Sequence, residues 1–206
     1  YDEQLRDAAV KLLALKAAWQ VEQLATFQVP VILFLDEPAL AGFGSSEFIS
    51  ISKQDVLDAL NEAIDQVHSR GAKAGVHVCA NCDWSVILDS KADILSFDAY
   101  TYFDKLAIFS QDLQAFLQRG GILAWGIVPT LEPADIDRED TASLLSQLQA
   151  QFDHLVNQGI SREVLMAQSL ITPSCGTGSL SPEHAQKVLT LTKEVSAAMR
   201  QEWSNT

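Results

Sequence analysis

The residues in this chain best suited to chemistry are His77, Cys79 and, far downstream, Cys175. His77 and Cys79 close the apolar run Ala74-Gly75-Val76-His77-Val78-Cys79, which has the length of a strand. Side chains at i and i+2 leave a strand on the same face, so the imidazole and the thiol converge. Cys175 follows a second apolar stretch, in Thr172-Pro173-Ser174-Cys175-Gly176-Thr177-Gly178. If both strands belong to one barrel, their ends can bring three soft ligands together. Two thiolates and one imidazole suit zinc, and three protein ligands leave a fourth position for substrate. Each residue also has a plain structural reading: a cysteine as a small buried apolar group, a histidine as a hydrogen-bonded core residue. Cys79-Ala80-Asn81-Cys82 is in addition a C-x-x-C spacing between a strand and a helix start, the pattern of a redox dithiol. That reading leaves His77 and Cys175 without roles; Cys82 otherwise stands as a supporting or replacement ligand.

Carboxylates gather at comparable places. Asp36-Glu37-Pro38 follows the run Val31 to Leu35, where the acids either cap the next turn or recognise a substrate amine. Asp98 ends the run Ile94 to Phe97. It is a candidate oxygen ligand, an orienter of the other ligands, or simply the cap of the following turn. His68, His154 and His184 sit in helical patterns among polar neighbours and are expected at the surface.

These residues need a scaffold of alternating strands and helices. Apolar spacing at three and four (Leu5, Ala8, Leu12, Leu15, Trp19) predicts an amphipathic helix from about Leu5 to Phe27. Continuous apolar runs predict strands at Val31–Leu35, Ala74–Cys79, Ile94–Phe97 and Ile122–Val128. A fifth, less regular strand region covers Val164–Met166 and Ser169–Ile171. Helices are expected over Ser52–Ser69, Trp84–Leu88, Asp104–Arg119 and Glu139–Asn157. A last one follows Ser181 as N-cap, with Pro182 at its first position. A βα repeat of this kind requires a parallel sheet with right-handed crossovers. No G-x-G-x-x-G phosphate fingerprint follows a strand. The polar residues collect just after the strand ends instead, the arrangement of a (β/α)8 TIM barrel. The expectation is an α/β chain forming one domain over residues 1–206, which supplies roughly the last five βα units of such a barrel.

With a net charge of −13, the surface is unsuited to phosphate-bearing partners, so neither nucleic acid nor an anionic membrane is expected. An odd count of three cysteines does not make a disulfide framework and points to a reducing, cytoplasmic setting.

Taken in order, Leu35-Asp36-Glu37-Pro38-Ala39-Leu40, His77-Val78-Cys79, Ala92-Asp93-Ile94-Leu95-Ser96-Phe97-Asp98 and Pro173-Ser174-Cys175-Gly176 resemble the catalytic domain of cobalamin-independent methionine synthase. They also resemble the wider superfamily of zinc corrinoid methyltransferases and uroporphyrinogen decarboxylases. The resemblance runs along nearly the whole chain. It implies a zinc ion held by His77, Cys79 and Cys175, with Asp98 where the family has a glutamate. It also implies methyl transfer to a homocysteine-like thiol whose amine Asp36 holds, with Glu37 beside it as a substrate-binding residue. Leu131 stands near the position of a family histidine that acts as general acid, and its loop is more similar to that of the corrinoid-dependent members. The implied partners are a small thiol and a corrinoid protein or folate donor. The first three units of the family barrel have no counterpart here, which implies a complementing N-terminal segment or a homo-oligomer. The alternatives are a non-catalytic, degenerate metal-binding barrel fragment and a uroporphyrinogen decarboxylase-like protein.

Overall fold

Strands and helices alternate in the computed structural model, which describes residues 2–43 and 51–204. The strands are β1 (Ile32–Asp36), β2 (Lys73–Val78), β3 (Ile94–Phe97), β4 (Ile122–Val128) and β5 (Ser169–Pro173). They form one five-stranded parallel sheet in the order β1-β2-β3-β4-β5, so the chain is α/β as expected. The described residues divide into two compact units. One runs to His77 and includes Cys82–Leu95; the other comprises Val78–Asn81 and the chain from Ser96 onward. Among the described residues no helix is long and apolar enough to cross a membrane.

In the first unit, α1 (Glu3–Ala25) starts at Asp2, whose carboxylate accepts the backbone N–H groups of Gln4 and Leu5. It packs on α2 (Lys53–His68), which opens with a Ser52/Asp55 capping box. The face that α1 buries is not the predicted one. Ala14, Ala17, Ala18 and Val21 are buried, whereas Leu5, Leu12, Leu15 and Trp19 are 58–69% exposed. The helix is apolar on more than one side, so periodicity alone does not single out the packed face. The alanine side lets the helix axes approach closely, and α2 answers with Leu60, Ala63, Ile64 and Val67.

Within the same unit β1 pairs with β2 from Ile32↔Lys73 to Asp36↔His77. Gly75 makes room for Phe34 on the neighbouring strand, since a Cβ there would stand 2.4 Å from the Phe34 ring. His68, expected at the surface, is half-buried: its Nε2 lies 2.8 Å from Asp93 Oδ2, and the same oxygen accepts the N–H of Ala74 at 2.8 Å. This clamp ties the end of α2 to the start of β2. α3 (Ser85–Asp89) follows as a single buried turn, as expected.

In the second unit, α4 (Ala99–Leu106) begins five residues before the predicted helix at Asp104. The reason is Asp98, whose side chain accepts the N–H of Thr101 at 2.9 Å and caps it. A 3-10 turn at Ala107–Phe109 then separates α4 from α5 (Ser110–Gln118), so the expected single helix is two. The core is built around Trp125 of β4. Its ring lies 4.9 Å from that of Phe152 and 5.5 Å from that of Phe97, and its Nε1 donates to Ser169 Oγ. α6 (Pro133–Arg138) and α7 (Thr141–Asn157) follow β4. Val164–Met166, expected in a strand, belongs instead to α8 (Arg162–Ala167). Ser161 caps this short helix and Leu165 anchors it in the core. The last described element is α9 (Pro182–Ser204), with Ser181 Oγ accepting the N–H of His184 as foreseen.

β4 and β5 pair in parallel with an irregularity between Gly126 and Val128. A Cβ on Gly126 would lie 2.4 Å from the carbonyl oxygen of Phe97 and 2.8 Å from Ser174 Cα. Both are backbone atoms with little freedom to retreat. Gly126→Ala is therefore expected to destabilise the protein by about 1–3 kcal/mol, read as a lower urea midpoint at unchanged slope. An unchanged midpoint would show that the close approach is not a constraint.

Candidate metal centre

Three facts of local structure set the site. β2 ends at Val78, so His77 and Cys79 flank its last residue, and the strand alternation puts both side chains on one face. β5 ends at Pro173, and two residues later the chain presents Cys175. α4 begins directly after β3 with Asp98 as its cap. Cys79, Asp98 and Cys175 belong to the second unit, and His77 is joined to it through Val78.

The ligand atoms of His77, Cys79 and Cys175 all lie within 4.8 Å of one another, and all three residues are half-buried. Atoms this close can share one cation. The Cys79 thiol is pushed above its ordinary pKa first by burial, then by the charge of Cys175 and a hydrogen bond with that thiol, with Asp98 adding to the effect. Removing protons from both sulfurs would place two negative charges side by side in a poorly hydrated place. A divalent cation removes that penalty, so the arrangement is one that a soft metal ion would ionise and hold.

Asp98 is almost fully buried and serves as the cap of α4; its oxygens are not in the three-ligand group. Its carboxylate nevertheless bears on the Cys79 thiol through charge. Asp36 ends β1 opposite His77 in the strand register and is exposed, so a carboxylate stands next to one member of the ligand set. Glu37 is half-buried and donates its backbone N–H to the carbonyl of His77 at 2.9 Å. Burial, then the Asp36 charge, raises its carboxyl above the usual range.

Cys82 is not in the ligand group. Burial, helped by Asp83, pushes its thiol up to about 12. A thiol so hard to ionise is a poor attacking nucleophile, and the Cys79 thiol is raised as well. Neither cysteine of the C-x-x-C spacing therefore has the lowered pKa of an attacking thiolate. Of the remaining histidines, His154 is exposed with its ring edge-on to Phe103, and His184 bridges Ser181 and Asp137. Leu131, in the loop after β4, is 58% exposed.

Spacing gives no sign of a buried pair beneath Cys175. Thr130 and Ser174 are 4% and 1% exposed, and their hydroxyl oxygens lie 2.9 Å apart. Each follows a strand end, but nothing in their types or separation announces that they meet. Gly126, by contrast, carries a readable signal, because a glycine inside an apolar strand marks a close backbone approach. In comparisons with known proteins, no protein-family model and no curated protein matches this chain.

Proposed function

We propose that the chain is a zinc-dependent methyltransferase that activates a homocysteine-like thiol, with His77, Cys79 and Cys175 as the zinc ligands. The observation that carries this reading is the convergence of one imidazole and two thiols within 4.8 Å. The donor set selects for zinc over the oxygen-seeking cations magnesium and calcium. Three protein ligands leave a position for a substrate sulfur. Bound zinc would supply the positive charge that keeps such a thiol ionised at neutral pH.

The chain's own residues supply the rest. The two cysteine thiolates offset the charge of the cation, so a sulfur added to the site stays electron-rich and suited to attack on a methyl group. Asp36, next to His77 in register, would pair with the ammonium group of an amino-acid thiol and orient it, with Glu37 as a further substrate-binding residue. Leu131 has no proton to give. This favours a donor whose leaving group departs without protonation, as a methyl corrinoid does, over a folate whose nitrogen must gain a proton. The sequential strand order supports the finer fold reading, a segment of a (β/α)8 barrel, because an open doubly wound sheet reverses its order at a switch point.

About one zinc per chain is expected, retained through gel filtration by the natural protein and by Cys82→Ser, and lost in Cys175→Ser and Cys79→Ser. Elemental analysis of the four proteins checks this, and full retention in Cys175→Ser would overturn the ligand set. Methyl transfer from methylcobalamin to homocysteine should follow the metal. Zinc binding without any such transfer would leave the non-catalytic alternative.

The raised thiol gives a second expectation. Zinc takes cysteine as the thiolate, and the Cys79 thiol is held above its ordinary pKa, so loading is expected to release protons and affinity is expected to rise with pH. Calorimetry in buffers of different ionisation enthalpy counts those protons. Release of none would mean that the thiols are not the ligands.

A further inference from the structure

We infer that Thr130 and Ser174 are positioning residues whose buried hydroxyl–hydroxyl bond sets the place of the Cys175 thiol; for the metal this rests on the zinc reading above. Ser174 is the residue before Cys175, and the structure holds it at three points. Its N–H donates to the carbonyl of Val128 at 2.8 Å. Its Oγ lies 2.9 Å from Thr130 Oγ1. Its Cα packs against Gly126, 2.8 Å from where a Cβ there would stand. All of these contacts lie within the second unit.

The consequence for Cys175 is geometric. With Ser174 fixed, the thiol position depends on the few torsions between the Ser174 Cα and the Cys175 Sγ. The Val128 bond and the Gly126 contact anchor the backbone of Ser174. The side-chain bond to Thr130 adds a restraint of its own, on the direction in which Ser174, and hence its neighbour, faces. Both hydroxyls are withdrawn from water, so breaking the bond is not repaired by solvent. Thr130 thereby ties the loop after β4 to the loop that carries Cys175.

Two substitutions separate this role from a merely structural one. Thr130→Val keeps the shape and removes the hydroxyl, while Thr130→Ser keeps the hydroxyl. Both are made in a Cys82→Ser background so that Cys79 can pair only with Cys175. The first readout is zinc affinity by chelator competition, expected to fall about 10-fold in Thr130→Val and to recover in Thr130→Ser. The second uses metal-free protein and needs no metal at all. In a glutathione redox buffer, oxidised glutathione takes two electrons from the Cys79 and Cys175 thiols. This forms their disulfide and two molecules of reduced glutathione. The equilibrium constant of that exchange measures how well the two sulfurs are held together.

It too is expected to fall about 10-fold in Thr130→Val, in step with the zinc affinity, and to recover in Thr130→Ser. If neither quantity changes in Thr130→Val, the positioning role is overturned. If both fall and Thr130→Ser restores neither, the hydroxyl bond is not the cause and the inference is again overturned. If the natural protein binds no zinc but the disulfide equilibrium still responds to Thr130→Val and recovers in Thr130→Ser, the zinc reading fails and the positioning role stands.

Discussion

Two thiols pressed together in a half-buried place cannot both carry charge unless a cation joins them. That constraint, between Cys79 and Cys175, governs the rest of the site. It explains why an imidazole rather than a third anion completes the group. A neutral His77 adds a ligand without adding to the repulsion. It also explains why Asp98, buried nearby and acting on Cys79, is occupied as the cap of α4. A carboxylate with a helix terminus to neutralise is held in place by its own partners, and its field makes the Cys79 thiol still less willing to ionise alone.

Holding the sulfurs in contact falls to ordinary features of an α/β sheet. The strand alternation of β2 aims His77 and Cys79 the same way. The register with β1 sets Asp36 beside His77. The absence of a side chain at Gly126 lets the segment after β5 come down onto the backbone of its neighbours. Each device is cheap in sequence, amounting to one residue type at one position. Each is costly to replace, because the atoms that would have to move are backbone.

The site was largely legible before the structure, and the packing much less so. His77 and Cys79 could be paired from their spacing because a strand has a period of two. Cys175 could be joined to them only by assuming that distant strands belonged to one barrel; the structure has both strands in one parallel five-stranded sheet. The failures have physical causes. α1 is rich in leucine and alanine on different sides, and the leucines drew the prediction although the alanines pack, because burial depends on the neighbour as well as on periodicity. The early start of α4 and the helical state of Val164–Met166 are settled by caps at Asp98 and Ser161. Those residues have several other uses in a sequence. The Thr130–Ser174 bond left no trace, since two hydroxyls near two strand ends are unremarkable until the strands are placed side by side.

The most direct test of the account is the zinc X-ray absorption spectrum of the metal-loaded protein. The expected first shell contains two sulfurs at about 2.3 Å and an imidazole nitrogen at about 2.0–2.1 Å. A shell of oxygen and nitrogen atoms alone would contradict it.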